Sequence, residues 1–511
     1  MARLSQLPQE LFLGIVELLE GNNATLAALC LISRAVAEVS RPYLYRHVVL
    51  GAEDAKPTQI ALFLRTLFDR PDYATQTKIL QIEATVYRDR NQDFEVPSGA
   101  TGMRMDDGTR LEEACVDHVR CIEQNGAPRI SAMIQKWRLR LRSGAQTAYV
   151  GVLLSLLVNL KDIAITIYTE EGLPRRTFTP LERLFRLSVG AFYQDDGSHL
   201  KLRPHLPLFP TTRDVTRLRT TGANLAILCL GFANLQILEV DLQQSNCSRS
   251  NGAHLNWENG TTEFQPRALL KVHTINFDSD WEALLVGYRV RHLLETIRFP
   301  SLRHFFFSIV RGPTQHLEQY GNFRTFFESI QPIATQLERV AIDVGGDRTN
   351  FSMSCLNAFK PVDLGEGDLF RFSSLQVLRI PSAAFVGRCR TDHTGRVSVP
   401  PRLDDLGPYL EHLDITYPDG VTLEWLQNMF ATLDVNQVRL RLISLSCAWD
   451  CGKPPSWFER RRHLLDNLPC PVVIGVVPGQ KQPDGYVDKE VTGIWHASLA
   501  EGVWLDALFE E

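Results

Sequence analysis

The sequence lacks any long hydrophobic run. Its most apolar stretch, Ala148 to Leu160, is closed by the charged Lys161 and Asp162 and falls short of the roughly twenty residues that a membrane-crossing helix needs. Cysteine is sparse, 10 in 511 residues. That excludes a disulfide-stapled scaffold and points to buried free thiols in a reducing compartment. Neither sign of charge is in excess: 54 Lys and Arg stand against 59 Asp and Glu, −5 overall. No global basic field exists to draw in nucleic acid or a membrane surface. Near the start, the polar Ser5, Gln6, Gln9 and Glu10 come early, and no basic segment leads into an apolar core, so a secretory leader is not expected. Asn259-Gly-Thr261 and Asn350-Phe-Ser352 are then expected to stay unglycosylated. The expected compartment is the cytoplasm or the nucleus. With 44% apolar and 22% charged residues, the chain is neither disordered, collagen-like nor a coiled coil. Its length suits about three domain-equivalents.

Motifs of chemistry are also missing. There is no phosphate-binding glycine loop, no G-x-S-x-G and no H-E-x-x-H, the patterns that would mark nucleotide, acyl-transfer or zinc-protease sites. Cys447-x3-Cys451 with His463 and Cys470 offers zinc-type donors, but at a spacing unlike common fingers. These are read as buried thiols, and no cofactor, metal or catalytic residue is expected.

What is present is concentrated first in the opening fifty residues. Leu7-Pro8-Gln9-Glu10 reads as a helix start, with Pro8 at the first helical position and Glu10 favoured by the helix dipole. Gly21 ends that helix. Between them Leu11, Phe12, Leu13, Ile15, Val16, Leu18 and Leu19 make the helix apolar nearly all round, which implies burial on more than one side. A second short helix follows around Leu26 to Ile32. Ser33 caps a third, Pro42 breaks it, and Tyr43 to Leu50 forms an aromatic and aliphatic tail. Three helices in about forty residues cannot cover this much apolar surface themselves. The rest of the chain or a partner must do so.

The pattern Leu7-Pro8-x-Glu10-Leu11-x3-Ile15-x2-Leu18, then Leu26-x2-Leu29-Cys30, then Ser33-Arg34 and Pro42-Tyr43-Leu44-Tyr45, resembles an F-box of the fungal type. One departure is the missing third-helix tryptophan, for which Tyr43 and Tyr45 are the nearest aromatics. The resemblance implies a non-catalytic substrate-recognition subunit of an SCF-type cullin–RING ubiquitin ligase. Leu7, Pro8, Leu11, Ile15, Leu18, Leu26 and Leu29 would contact the Skp adaptor and, through it, a cullin. A non-degradative, adaptor-bound scaffold is the alternative left open.

A second pattern runs downstream: apolar, two residues, apolar, one residue, apolar. It appears as Leu160-Ile163-Ile165, Leu184-Leu187-Val189, Leu235-Leu238-Val240, Val272-Ile275-Phe277 and Leu302-Phe305-Phe307. It continues as Leu337-Val340-Ile342, Leu375-Leu378-Ile380, Leu410-Leu413-Ile415 and Leu440-Ile443-Leu445. Phe232-Ala-Asn234-Leu235, Phe299-Pro-Ser301-Leu302 and Phe372-Ser-Ser374-Leu375 share a lead-in. This looks like an irregular leucine-rich repeat, one short strand per repeat, with intervals long enough for a helix in each.

The fold expected is therefore mixed α/β: a small N-terminal helical F-box over residues 1–50, a mostly helical connecting region over 51–157, an irregular leucine-rich-repeat-like α/β solenoid over 158–470, and a capping segment over 471–511. Ile79-Leu80-Gln81-Ile82 reads as a first strand, Asn91 to Arg110 as a polar loop, and Gln243 to Gln265 as an insertion. In each repeat strand the residues before and after the last apolar position point away from the core. Those positions hold Glu239, Asp241, Asp278, Asp343 and Asp414, against Arg379 alone. This implies an acidic substrate-binding face for a protein with a basic surface; neither nucleic acid nor membrane is expected as a partner.

Overall fold

The computed structural model describes residues 7–50, 58–86, 105–125, 141–142, 146–169, 213–221, 232–241, 270–280, 298–311, 323–344, 372–382, 408–416, 420–431, 439–449, 472–478 and 495–496, with single positions 138, 290, 294 and 418. It is an α/β protein of two compact units, Met1–Val272 with Thr296–Pro300, and His273–Glu295 with Ser301–Glu511. No helix among the described residues is long and apolar enough to cross a membrane.

The first unit opens with three helices. In α1 (Gln9–Leu18), Pro8 is the N-cap rather than the first helical residue, and its carbonyl accepts from the Phe12 N–H at 3.1 Å. Beyond the end of α1, Gly21 takes φ 89°, a left-handed conformation that glycine adopts without steric strain. In α2 (Asn23–Cys30), Asn22 accepts from the Thr25 N–H at 3.1 Å. In α3 (Arg34–Arg46), Ser33 Oγ accepts from the Val36 N–H at 3.2 Å, as its sequence position implied.

The expected break at Pro42 does not occur, since α3 runs through it to Arg46. Proline removes one helical hydrogen bond, but packing on either side holds the helix across the gap. Val39, Tyr43 and Leu44 lie against a buried cluster of Phe12, Val16, Leu26, Leu29 and Val36. The Tyr43 hydroxyl donates to Glu17 at 3.0 Å, and Arg46 pairs with Glu20 at 2.9 Å.

The tail after Pro42 splits in two. Helix α3 passes straight into β1 (His47–Leu50), which precedes the strand expected as the first. Asn23 donates to the His47 carbonyl at 2.9 Å and Thr77 to the Tyr45 carbonyl at 3.0 Å, while the Tyr45 ring stacks on Tyr73 at 4.2 Å. The three helices are thereby fastened to the sheet that follows.

That sheet runs β1, β2 (Ile79–Val86), β3 (Asp162–Thr169), β4 (Arg217–Thr221), β5 (Ile237–Asp241), all parallel, each strand paired with the next in sequence. Its core face is Leu80 and Ile82, Ile163 and Ile165, Leu218 and Thr220, Leu238 and Val240, all buried. Helices α4 (Thr58–Asp69), α5 (Pro71–Gln76), α6 (Met105–Asn125) and α7 (Gln146–Leu156) belong to the same unit, and α4, α6 and α7 pack on one another. Helix α6 starts at Met105, inside the segment expected to be a polar loop.

Strand β4 carries no match to the apolar phrase because Thr220 stands at its last apolar position, between Ile165 and Val240 in register. The Thr220 hydroxyl is buried without a hydrogen-bond partner among the described residues. An unmade buried hydrogen bond costs about 1–3 kcal/mol. Thr220→Val keeps the shape and removes that group, so it is expected to stabilise the protein by about 1 kcal/mol in denaturant titration. A loss of stability would show that the hydroxyl is satisfied in solution.

In the second unit the order is β6 (Thr274–Asp280), β7 (His304–Arg311), β8 (Arg339–Val344), β9 (Val377–Pro381), β10 (His412–Thr416), β11 (Leu442–Trp449), β12 (Val472–Pro478), β13 (Trp495–His496). The first seven are parallel and the last is antiparallel. Helix α8 (Phe323–Ile330) continues as a 3₁₀ turn, Gln331–Gln336, before β8; α9 (Gly420–Ala431) precedes β11. Ile275, Phe277, Phe305, Phe307, Val340, Ile342, Leu378, Ile380, Leu413, Ile415, Ile443 and Leu445 fill the core. Phe277 meets Phe305 at 5.5 Å between ring centroids.

A recurring hydrogen bond sets the strand-to-strand stacking in each unit. Just before the strand, one carbonyl accepts from two successive N–H groups of the next turn: Lys161 O from Thr216 and Arg217, Arg303 O from Glu338 and Arg339, Glu411 O from Arg441 and Leu442. The polar residue ahead of the first leucine adds a side-chain bond back to the preceding turn. Asn159 donates to Thr75 O, Asn234 to Arg213 O and Ser374 to Thr335 O, each within 2.9 Å. This gives the shared lead-in words a physical role. The phrase at Leu184 to Val189 and the insertion at Gln243 to Gln265 lie outside the described residues, and of the capping segment over 471–511 the described residues are those of β12 and β13.

Candidate protein-docking surface

Helix α1 is buried on one side only, contrary to its all-round apolar sequence. Phe12 and Val16 enter the helical core. Leu11, Ile15 and Leu18 stay 60%, 37% and 88% exposed. Their i, i+4, i+7 spacing puts them on a single stripe. Leu7 is half-buried and Pro8 exposed. Leu31 and Ile32, in the turn between α2 and α3, are 88% and 55% exposed. Exposed aliphatic side chains of this size, grouped on one short segment, mark an interaction surface more often than a free one.

Two expected contact residues do not belong to that surface. Leu26 and Leu29 are buried in the cluster with Phe12, Val16 and Val36. Helix α2 is apolar on most positions, so sequence spacing alone does not say which residues turn inward. Its exposed contribution comes instead from Leu31 and Ile32, which follow the helix end and which the sequence pattern did not single out.

The face of the sheets away from the core differs from the acidic face expected. Glu239 is buried and accepts from Arg217 Nε at 3.1 Å, and Asp162 lies 4.0 Å from the same guanidinium. Burial pushes the Asp162 carboxyl up, with Arg217 opposing. Asp414 is buried beside Arg379 at 3.5 Å and accepts from Ser446 Oγ at 3.2 Å. Asp241 is half-buried at the end of β5. Asp278 and Asp343 lie on β6 and β8, with their side chains outside the described part.

The expectation counted two outward residues per strand and left out a third, the one before the middle apolar position. That position holds Asp162, Arg217, His304, Arg339 and His412. Carrying the two-residue alternation one step further back would have found them.

His412 is buried and hydrogen-bonded through Nε2 to Ser444 Oγ at 2.8 Å; burial, with Arg379 and Arg339 adding, pushes it down to about 4. His304 shares Thr274 Oγ1 with His273, at 3.2 and 2.8 Å. Burial, then the charges of Arg339, His273 and Arg303, push His304 down to about 4 as well. Both imidazoles are therefore neutral at physiological pH. Among the described residues no three His, Cys, Asp or Glu side chains are grouped to hold a metal ion. Cys447 falls on β11 with its side chain undescribed, and Cys451, His463 and Cys470 lie outside the described residues. No protein-family model matches this chain, and no curated protein matches it.

Proposed function

We propose that this chain is a non-catalytic substrate receptor of an SCF-type ubiquitin ligase, with an F-box at its N-terminus and an irregular leucine-rich-repeat-like solenoid behind it. One observation carries the proposal: a three-helix cluster with its own buried core presents an exposed apolar stripe, Leu11, Ile15 and Leu18. At about 1.5–3 kcal/mol for each side chain fully buried, that stripe with Leu31 and Ile32 suffices to anchor an adaptor after association costs. Within each unit the parallel strands, each paired with its sequence neighbour, fit a repeat architecture. The direct passage of α3 into β1 fastens the docking helices to the first sheet. A receptor of this kind acts by proximity, raising the effective concentration of a bound protein's lysines near the ubiquitin carrier.

Co-expression with a Skp adaptor and a cullin tests the proposal. A stable ternary complex is expected. An adaptor complex that excludes the cullin would favour a non-degradative scaffold, and no adaptor complex would overturn the reading.

A further inference from the structure

We propose that the row of Thr274, His304 and Arg339 on the polar face of β6 to β8 receives a carboxylate from an acidic segment of a protein partner, with Asp278 and Asp343 two rows along the same face confining it to the Arg339 row. The inference rests on the substrate-receptor reading and names the chemistry of what is bound.

Four arginines of the strands or of the residues leading into them have a carboxylate partner. Arg217 has Glu239 and Asp162, Arg379 has Asp414, Arg303 has Glu338 at 3.2 Å, and Arg441 has Glu411 at 3.8 Å. Arg339 is half-buried and, among the described residues, pairs with no carboxylate. Its neighbours across the sheet are His304 on β7 and Val377 on β9. Phe306 and Ala341 occupy the next row of the same face, with the Phe306 ring edge-on to His304 at 6.4 Å.

A guanidinium partly withdrawn from water without a counter-ion is unfavourable. At Arg217, Arg303, Arg379 and Arg441 this chain supplies the carboxylate itself. At Arg339 the neighbouring positions of the face hold Ala341, the Phe306 ring and the His304 imidazole. The His304 imidazole, neutral at physiological pH, cannot neutralise the charge. A carboxylate supplied from outside completes the site, and the planar fork of arginine suits it in a bidentate contact. A peptide segment fits better than nucleic acid: the whole chain is net negative, with pI about 6.3, so no global basic field draws in a phosphate backbone.

The test uses the full chain and fluorescein-labelled decaglutamate, followed by anisotropy at low salt. Saturable binding is expected, weakened at least about tenfold by Arg339→Ala, as for loss of a charge-assisted hydrogen bond. Arg441→Ala, which removes an exposed and paired charge, should leave it unchanged. A decaglutamine peptide should not bind. A second readout needs no ligand: Arg339→Ala should not lower the melting temperature, because no internal ion pair is lost. The proposal is overturned if decaglutamate fails to saturate, if Arg441→Ala weakens it as much as Arg339→Ala, if a single-stranded RNA decamer binds more tightly, or if Arg339→Ala destabilises the fold. Adaptor capture by the same preparation is scored separately, so failure of the receptor reading is distinguishable.

Discussion

Aspartate at both Leu11 and Ile15 is expected to release this chain from the Skp adaptor while leaving it folded. Both side chains are exposed and neither belongs to the buried helical cluster, so the isolated chain loses little. In the proposed complex each would leave water. Losing two such contacts, at about 1.5–3 kcal/mol each, and burying two carboxylates instead, amounts to more than about 4 kcal/mol, roughly a thousandfold in Kd. Titration calorimetry of wild type and variant measures it, with circular dichroism to confirm the helices. Leu26→Ala gives the contrast. It cuts into the cluster itself and should destabilise by about 2–5 kcal/mol, as core leucine truncations do. Adaptor affinity within about threefold of wild type in the double aspartate variant would sink the docking surface proposed for α1.

Arg379→Met should be among the most destabilising single changes in the second unit, at about 3–5 kcal/mol. Asp414 is buried with Arg379 as its cationic neighbour and the Ser446 hydroxyl as a further donor. Removing the guanidinium takes a cationic partner from a carboxylate held away from water. The pair itself is not expected to contribute much net stability, because desolvating two charges offsets their attraction. Arg379→Met combined with Asp414→Leu should therefore recover most of the loss. Urea titration of the two variants decides it. A single variant that costs less than about 1 kcal/mol would mean that solvent reaches Asp414. The result also bears on binding: Asp414, expected to face a substrate, is committed to the interior.

Much of the sheet was legible because its information is local. Leu160, Leu235, Val272, Leu302, Leu337, Leu375, Leu410 and Leu440 each open a phrase that becomes a strand, since an apolar alternation of period two specifies one buried face whatever lies beside it. Ser33 was legible as a cap because it bonds within its own turn. Strand β4 was not, because Thr220 breaks the apolar pattern and is buried all the same. Pro42 misled because its local cost is met by distant packing, Tyr43 on Glu17 and Val39 on the cluster.

The sequence by itself determined the α/β class, the positions of most strands, and the presence at the N-terminus of more apolar surface than three helices can cover. Tertiary structure alone decided which residues meet. Helix α1 carries leucines, isoleucine, valine and phenylalanine nearly all round, and the positions of α2 and α3 chose Phe12 and Val16 for the core and left Leu11, Ile15 and Leu18 outside. On the sheets, a side chain's face follows from counting along its own strand, but its neighbours come from register between strands far apart in sequence. Register set Arg219 against Glu239, with Arg217 in the next row of the same face, set Arg379 against Asp414, and placed Arg339 between His304 and Val377. Of the acidic face read from sequence, Glu239 and Asp414 are held in buried pairs for that reason, and Arg339 is left without a carboxylate among the described residues.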